Sequence, residues 1–291
     1  MTLTAAHATD LFRAEPDAFV EVPGGAVALR TVGSGPAVVF SHGWPVSGAT
    51  FRLLLPHLVD HVTCHVVDYV GAGSSRFTAD TPASIQGHIE ALVAVVDHLG
   101  VDSVAVVGHD SGGLIARHAL AGDPRLRGMG LVDTEQASGV GWRFRSFLAN
   151  RHVPGFGRAL GWLAGQQRLR RNGFVLGDAF ADRSLLDGDF DELMLAPLHT
   201  DRERQVLAGR VLRSFRYDYL RQLGDLHRRI EVPVRLVWGT EDRFFPVALA
   251  RADVATFPDA SLVEIDGAGL FAHEEAPAAV AEALLPVLVG S

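Results

Sequence analysis

Along the first 135 residues apolar positions follow two alternating periods. Residues 19–22 and 26–32 flank Pro23-Gly24-Gly25 and predict an antiparallel hairpin. Residues 37–41 form a short apolar run, 51–58 continue as a helix, and 62–67 make another strand. Residues 85–99 carry Leu92, Val95, Val96 and Leu99 at helical spacing. A strand over 103–108, a helix over 114–121 and a strand over 129–132 follow. Short apolar strands separated by helices predict a parallel sheet built of βαβ units. The rhythm stops at Thr134. Residues 136–229 are helix-rich, arginine-rich and aromatic, without a clear strand. It resumes with a strand over 232–238, a helix near 247–257, a strand over 261–265 and a closing helix over 276–289. The pattern divides the chain into an α/β core, 1–135 with 230–291, and a helical block, 136–229. A helical block inserted late in a doubly wound sheet reads as a lid over the carboxyl edge, where such sheets bind ligands.

The strand-to-helix break at Gly108-His109-Asp110-Ser111-Gly112 carries the most chemistry. A sharp turn there exposes its middle side chain, and small residues on either side let strand and helix crowd together. That middle residue is Asp110. A carboxylate is already ionised at neutral pH, so its first attack needs no base. It suits displacement at saturated carbon, as in an epoxide or a haloalkane, and points away from ordinary esterases.

Composition removes several alternatives. All 26 Lys+Arg residues are arginine, which excludes Schiff-base, pyridoxal-phosphate and Walker-type phosphate chemistry. Cys64 is the only cysteine, so a disulfide scaffold and a thiolate metal cluster are both excluded. The net charge of −8 disfavours nucleic acid as a partner. No 18-residue apolar run predicts a membrane span, and the polar stretch 1–16 has no signal-peptide core, so a cytoplasmic location is expected. Residues 136–229 hold 16 Arg against 10 Asp and Glu. Two readings stand: solvated arginine-bearing helices, or a field that steers an anionic substrate. A homo-oligomer is left open.

Four motifs in order give the chain a family resemblance: His42-Gly43-Trp44-Pro45, the stretch Asp68-Tyr69-Val70-Gly71-Ala72-Gly73-Ser74-Ser75, the Asp110 elbow, and Trp238-Gly239-Thr240-Glu241-Asp242. Together they resemble the aspartate-nucleophile branch of the α/β-hydrolase superfamily, the epoxide hydrolases and haloalkane dehalogenases, over about residues 19–288 and most weakly in the lid. The resemblance implies an oxyanion hole from the Trp44 and Ser111 amides. It makes Asp110 the nucleophile and Asp242 the acid that orients a base, with Asp133 as the alternative acid position. It implies no metal or organic cofactor, and the lid aromatics, among them Phe144, Phe147, Phe180, Phe190 and Phe215, suggest a roomy pocket for a small apolar or aromatic organic substrate.

The chain departs from the pattern at the base. The family's Gly-His-Phe setting is here Gly269-Leu270-Phe271, and His273 lies three residues on. If that segment begins a helical turn, 270 and 273 share a face, and His273 could reach Asp242. Otherwise the site lacks its base, unless His42 or His109 activates water. Ser111 and Trp44 stand where dehalogenases carry the tryptophan and asparagine of their halide cradle, so epoxides are favoured. Epoxide hydrolases use lid tyrosines as acids, and Tyr217 and Tyr219 are the lid tyrosines here. Residues two apart share no helix face, so one of them is expected at the site. Leu270 also keeps open a non-hydrolytic cyclase or lyase, or a ligand-binding member with a reduced site.

Overall fold

The computed structural model describes residues 3–290. Eight strands form one sheet: β1 (Ala18–Val22), β2 (Gly25–Gly33), β3 (Ala37–Ser41), β4 (Thr63–Asp68), β5 (Val104–His109), β6 (Leu126–Val132), β7 (Val234–Gly239) and β8 (Ala260–Ile265). Their spatial order is β1-β2-β4-β3-β5-β6-β7-β8. The hairpin and the β2–β4 pair are antiparallel, and the remaining pairs are parallel. The mixed, mostly parallel sheet expected from the pattern is present.

Successive side chains on a strand point to opposite faces, so a sheet covered on both sides needs apolar residues throughout. Val38, Phe40, Ala105, Val107 and Val237 pack into one layer, and Val39, Val104, Val106, Leu236 and Trp238 into the other. Helices of the core include α1 (Ala5–Arg13), α2 (Ile85–Leu99) and α3 (Ser111–Leu120), of which α2 and α3 reach the site. The pattern had not marked α1. Thr4 caps it by accepting the His7 amide, and the buried Arg30 donates to the carbonyls of Leu11 and Ala14 at its end.

Residues 51–58 are not a continuous helix. The chain makes 3₁₀ turns at Gly48–Phe51 and Leu55–His57. Pro56 supplies no amide and its ring crowds the preceding turn, so the segment closes through i to i+3 bonds such as His57 N–H to the Leu54 carbonyl.

Between β6 and β7 the chain leaves the sheet as the expected helical insertion, with helices at Trp142–Ala149, Phe156–Ala164, Arg202–Ser214 and Leu223–Arg228 among others. It is tied to the sheet's carboxyl edge at named points. The Trp44 indole N–H donates to the Ala208 carbonyl at 3.0 Å, and Arg204 donates to the Gly73 carbonyl at 2.8 Å. Among the described residues no helix is long and apolar enough to cross a membrane.

Candidate active site

β5 breaks into α3 at Asp110, whose φ of 48° and ψ of −134° lie outside the regions an L-residue prefers. The surroundings hold it there. Its amide donates to the Asp133 carbonyl at 3.1 Å, and its own carbonyl accepts from Gly113 N–H at 2.9 Å. A Cβ on Gly112 would stand 2.0 Å from the Ser41 carbonyl oxygen, so only glycine lets the helix start so close to β3.

The carboxylate of Asp110 faces the oxyanion loop after β3. Oδ2 accepts the Trp44 amide at 2.8 Å, and the Ser111 amide and hydroxyl also donate to the carboxylate. Burial pushes the Asp110 pKa up to about 6 against the opposing pull of these amides, which leaves it mostly ionised at neutral pH. Gly43 makes the approach possible, because a Cβ there would lie 2.5 Å from Oδ2.

His42 serves this loop and not proton transfer. Its Nδ1 lies 2.8 Å from the Gly43 carbonyl and Nε2 accepts the Tyr69 amide at 3.1 Å. A carbonyl only accepts and an amide only donates, so both ring nitrogens are committed in one neutral tautomer. Burial lowers its pKa. The glycine-rich motif after β4 is also structural. Asp68 accepts the Gly48 and Ser74 amides and pairs with buried Arg30 at 2.9 Å.

His273 is not brought to the acid. The helical turn starts only at Ala272, with Phe271 at φ −103° and ψ 51°, so Leu270 and His273 do not share the expected face. The Leu270 side chain lines the cavity above Asp110. His273 turns beneath, where its Nε2 is 2.8 Å from Thr50 Oγ1 and its ring packs on His109 and Phe51. Beside it, Glu274 pairs with Arg52 at 2.6 Å. Burial and neighbouring His109 hold the His273 imidazole well below its ordinary range. His109 in turn directs Nε2 at the Leu270 carbonyl, 3.0 Å away.

Asp242 therefore meets no histidine. Oδ1 accepts the amides of Phe244 and Phe245 at 2.7 and 3.0 Å, the capping role, while buried Oδ2 has no hydrogen-bond partner among the described residues. Burial pushes this carboxyl up to about 8, so it is largely neutral at pH 7. Asp133 is also turned away, accepting Gly239 N–H at 2.8 Å and Ala272 N–H at 3.3 Å.

A cavity with about 930 Å³ free of protein atoms opens over Asp110. Phe144, Phe147, Phe180, Phe190, Phe215 and Phe271 line much of it. Two lining residues are acidic, Asp110 and one that the motifs did not mark, Glu135. Glu135 is 2 % exposed, and its Oε2 lies 3.0 Å from the Thr134 hydroxyl. Burial first, and the Asp110 charge second, push its pKa up to about 8. The signal for it was available: Asp133-Thr134-Glu135 places two acids directly after a strand at the ligand-binding edge.

Neither expected tyrosine lines this cavity. Tyr217 lies under the Arg151 guanidinium, and Tyr219 packs against His118 and Phe215. The lid arginines are not uniformly the solvated set expected, since Arg143 and Arg170 are buried. Arg170 pairs with Asp187 and Asp191, and no arginine lines the cavity among the described residues. Arg204 lines an adjoining recess beyond Trp44, already engaged with Gly73 and Asp201.

Known proteins share the sequence pattern and the fold of this chain. The chain is 28% identical over 269 residues to haloalkane dehalogenase 2 of Mycobacterium bovis, covering 87% of this chain and 88% of that protein. It is 30% identical over 255 residues to a pimeloyl-[acyl-carrier protein] methyl ester esterase of Xanthomonas campestris, covering 83% and 90%. The structure superposes on an alpha/beta hydrolase fold protein of Burkholderia ambifaria with a TM-score of 0.79 at 25% identity, covering 94% and 98%. Residues 36–277 match the model of the alpha/beta hydrolase fold. With a single mixed sheet, an acidic elbow after β5 and a helical insertion after β6, the chain belongs to the alpha/beta hydrolase fold family, at a distance from its dehalogenase and esterase members.

Proposed function

We propose that this protein opens the ring of a neutral, apolar organic epoxide by attack of the Asp110 carboxylate, forming a hydroxyalkyl ester. The observation that carries the reading is the Asp110 carboxylate on the elbow, held by the Trp44 and Ser111 amides at the floor of a phenylalanine-lined cavity. The same amides stand where charge develops on the ester oxygen when water later attacks it. A halide leaving group is less well served. The Trp44 indole N–H is spent on the Ala208 carbonyl, and Ser111 offers no indole. Among the described residues the cavity lining holds no cation, which favours uncharged substrates over anionic ones.

The absence of a histidine at Asp242 favours a second reading, a cyclase or lyase in which Asp110 acts as base and no ester forms. Intact-protein mass measured within the first turnover on styrene oxide separates the two. An adduct of the epoxide's mass, mapped to Asp110 and lost in Asp110→Asn, supports ring opening. Turnover without any adduct, or an undiminished rate in Asp110→Asn, refutes it.

A further inference from the structure

We propose that Glu135 is the proton-transfer residue of this site, protonating the epoxide oxygen and then activating water, the work for which the fold here supplies no histidine. The inference rests on the ring-opening reading and names the residue that completes it.

The geometry comes first. Glu135 lies three residues past the end of β6, at the carboxyl edge of the sheet, and shares the cavity wall with Asp110. Thr134 stands between the Glu135 carboxyl and the backbone of Asp110. Its hydroxyl is 2.7 Å from the Asp110 carbonyl oxygen and 3.0 Å from Glu135 Oε2, and it accepts from Arg117 Nη2 at 2.9 Å. One hydroxyl has one proton, so it serves either the elbow or Glu135. The cations near Glu135 do not neutralise it directly. Buried Arg117 is tied by Nε to the Gly113 carbonyl and by Nη1 to His227, and it makes no ion pair with Glu135.

The charged and titratable groups around the pair are therefore Asp110 on the elbow, Arg117 on α3, Asp242 after β7 and, through Arg117, Asp253. Asp110 accepts the Trp44 and Ser111 amides and the Ser111 hydroxyl, all of which favour its charged form, while Glu135 has the Thr134 hydroxyl, so the negative charge settles on Asp110 and the proton on Glu135. Two carboxyls in one pocket with separated pKa values have assigned themselves as acid and base.

The cycle then balances. An Asp110 oxygen bonds to an epoxide carbon, the C–O bond breaks toward oxygen, and that oxygen takes the Glu135 proton. Glu135, now a carboxylate, takes a proton from water as the water oxygen adds to the Asp110 ester carbon. The oxyanion forms against the Trp44 and Ser111 amides. Collapse expels the alkoxide, which takes the proton left on the new Asp110 carboxyl. The sum is epoxide plus water to diol, with Glu135 protonated and Asp110 ionised as at the start.

The test follows adduct and product together on styrene oxide, in the full chain and in Glu135→Gln and Glu135→Asp. Glutamine keeps the size but cannot carry the proton. Its steady-state rate is expected to fall by at least about 100-fold, in line with loss of general acid–base assistance, with the Asp110 adduct persisting at one per chain. Aspartate should restore part of the rate. In the unmodified protein kcat/KM should fall below about pH 6 as Asp110 protonates, and above about pH 8 as Glu135 ionises. A wild-type profile without the alkaline limb, or Glu135→Gln clearing its adduct at the unmodified rate, overturns this role while leaving Asp110 alkylation standing. Failure of the unmodified protein to form the Asp110 adduct overturns the ring-opening reading and this role with it.

Discussion

Replacing Asp242 by asparagine should stabilise the protein at alkaline pH, because the acid position has kept its carboxyl without keeping a partner for it. Asparagine is nearly isosteric, and its Oδ1 can still accept the Phe244 and Phe245 amides. What changes is the cost of ionisation. In the unfolded chain the carboxyl titrates near 3.8, while in the folded chain burial raises it to about 8. Between these values the native state holds a proton that the unfolded state has lost, so stability falls as pH rises through this window and levels off above about 8. At about 1.4 kcal/mol per pH unit, the ceiling is about 5–6 kcal/mol at pH 9. The new amide group must be buried where Oδ2 now stands unpaired, which costs roughly 1–3 kcal/mol. A net gain of about 3 kcal/mol remains at pH 9, and close to none at pH 5, where an ionisation cost of about 1.6 kcal/mol is offset by the cost of burying the amide. With about 2 cal/mol/K of unfolding entropy per residue, the pH 9 gain corresponds to a rise in Tm of roughly 5 °C. Thermal and urea unfolding of both proteins at pH 5, 7 and 9 would read the difference. A variant less stable than the parent at pH 9, or a gap that does not change between pH 5 and 9, would refute the reasoning. Either result would mean that a cation or a donor reaches Oδ2.

Two further changes bear on the site. Gly43→Ala sets a Cβ 2.4 Å from that of Asp110 and displaces the carboxylate from the Trp44 amide, so kcat/KM on an epoxide should drop by about 10²–10³-fold with the fold retained; an unimpaired rate would show that this amide contact is dispensable. His273→Gln removes a ring that packs beneath the site, so unfolding stability should fall by about 1–3 kcal/mol while the Asp110 adduct still forms and clears; a folded variant that forms the adduct and stalls would return His273 to the mechanism.

How far the chain could be read depended on whether a feature is set by period or by phase. Strand and helix alternation is a matter of period, and it carried the sheet, the insertion and the elbow. Asp110 was legible because glycines on both sides of it leave one conformation for a strand entering a helix at that angle. The base was a matter of phase. Whether residue 273 lies under residue 270 depends on where a four-residue helix begins, and the start at Ala272 instead of Leu270 carries His273 out of the site. The failed helix over 51–58 has a local cause in Pro56, visible in the chain but outweighed there by apolar spacing.

Glu135 was hidden by the same kind of phase problem, and its position explains the chemistry that replaces the histidine. Alternation along β6 would assign Asp133 and Glu135 to one face of the sheet. Asp133 instead adopts a φ of 40°, which breaks that parity at the end of the strand. Its carboxylate then turns to the Gly239 and Ala272 amides, and Glu135 two residues later is released toward the cavity. The turn thus separates two acids that the sequence presents as equivalent. One braces the β7 edge and the short helix bearing His273, holding in place the geometry that keeps this histidine away from Asp242. The other lines the cavity with Asp110, where desolvation and a neighbouring negative charge favour its protonated form against the pull of buried Arg117 and the Thr134 hydroxyl. A site without an imidazole can still move protons at neutral pH if a carboxyl is raised into that range, and burial against a second carboxylate is a direct physical means of raising it.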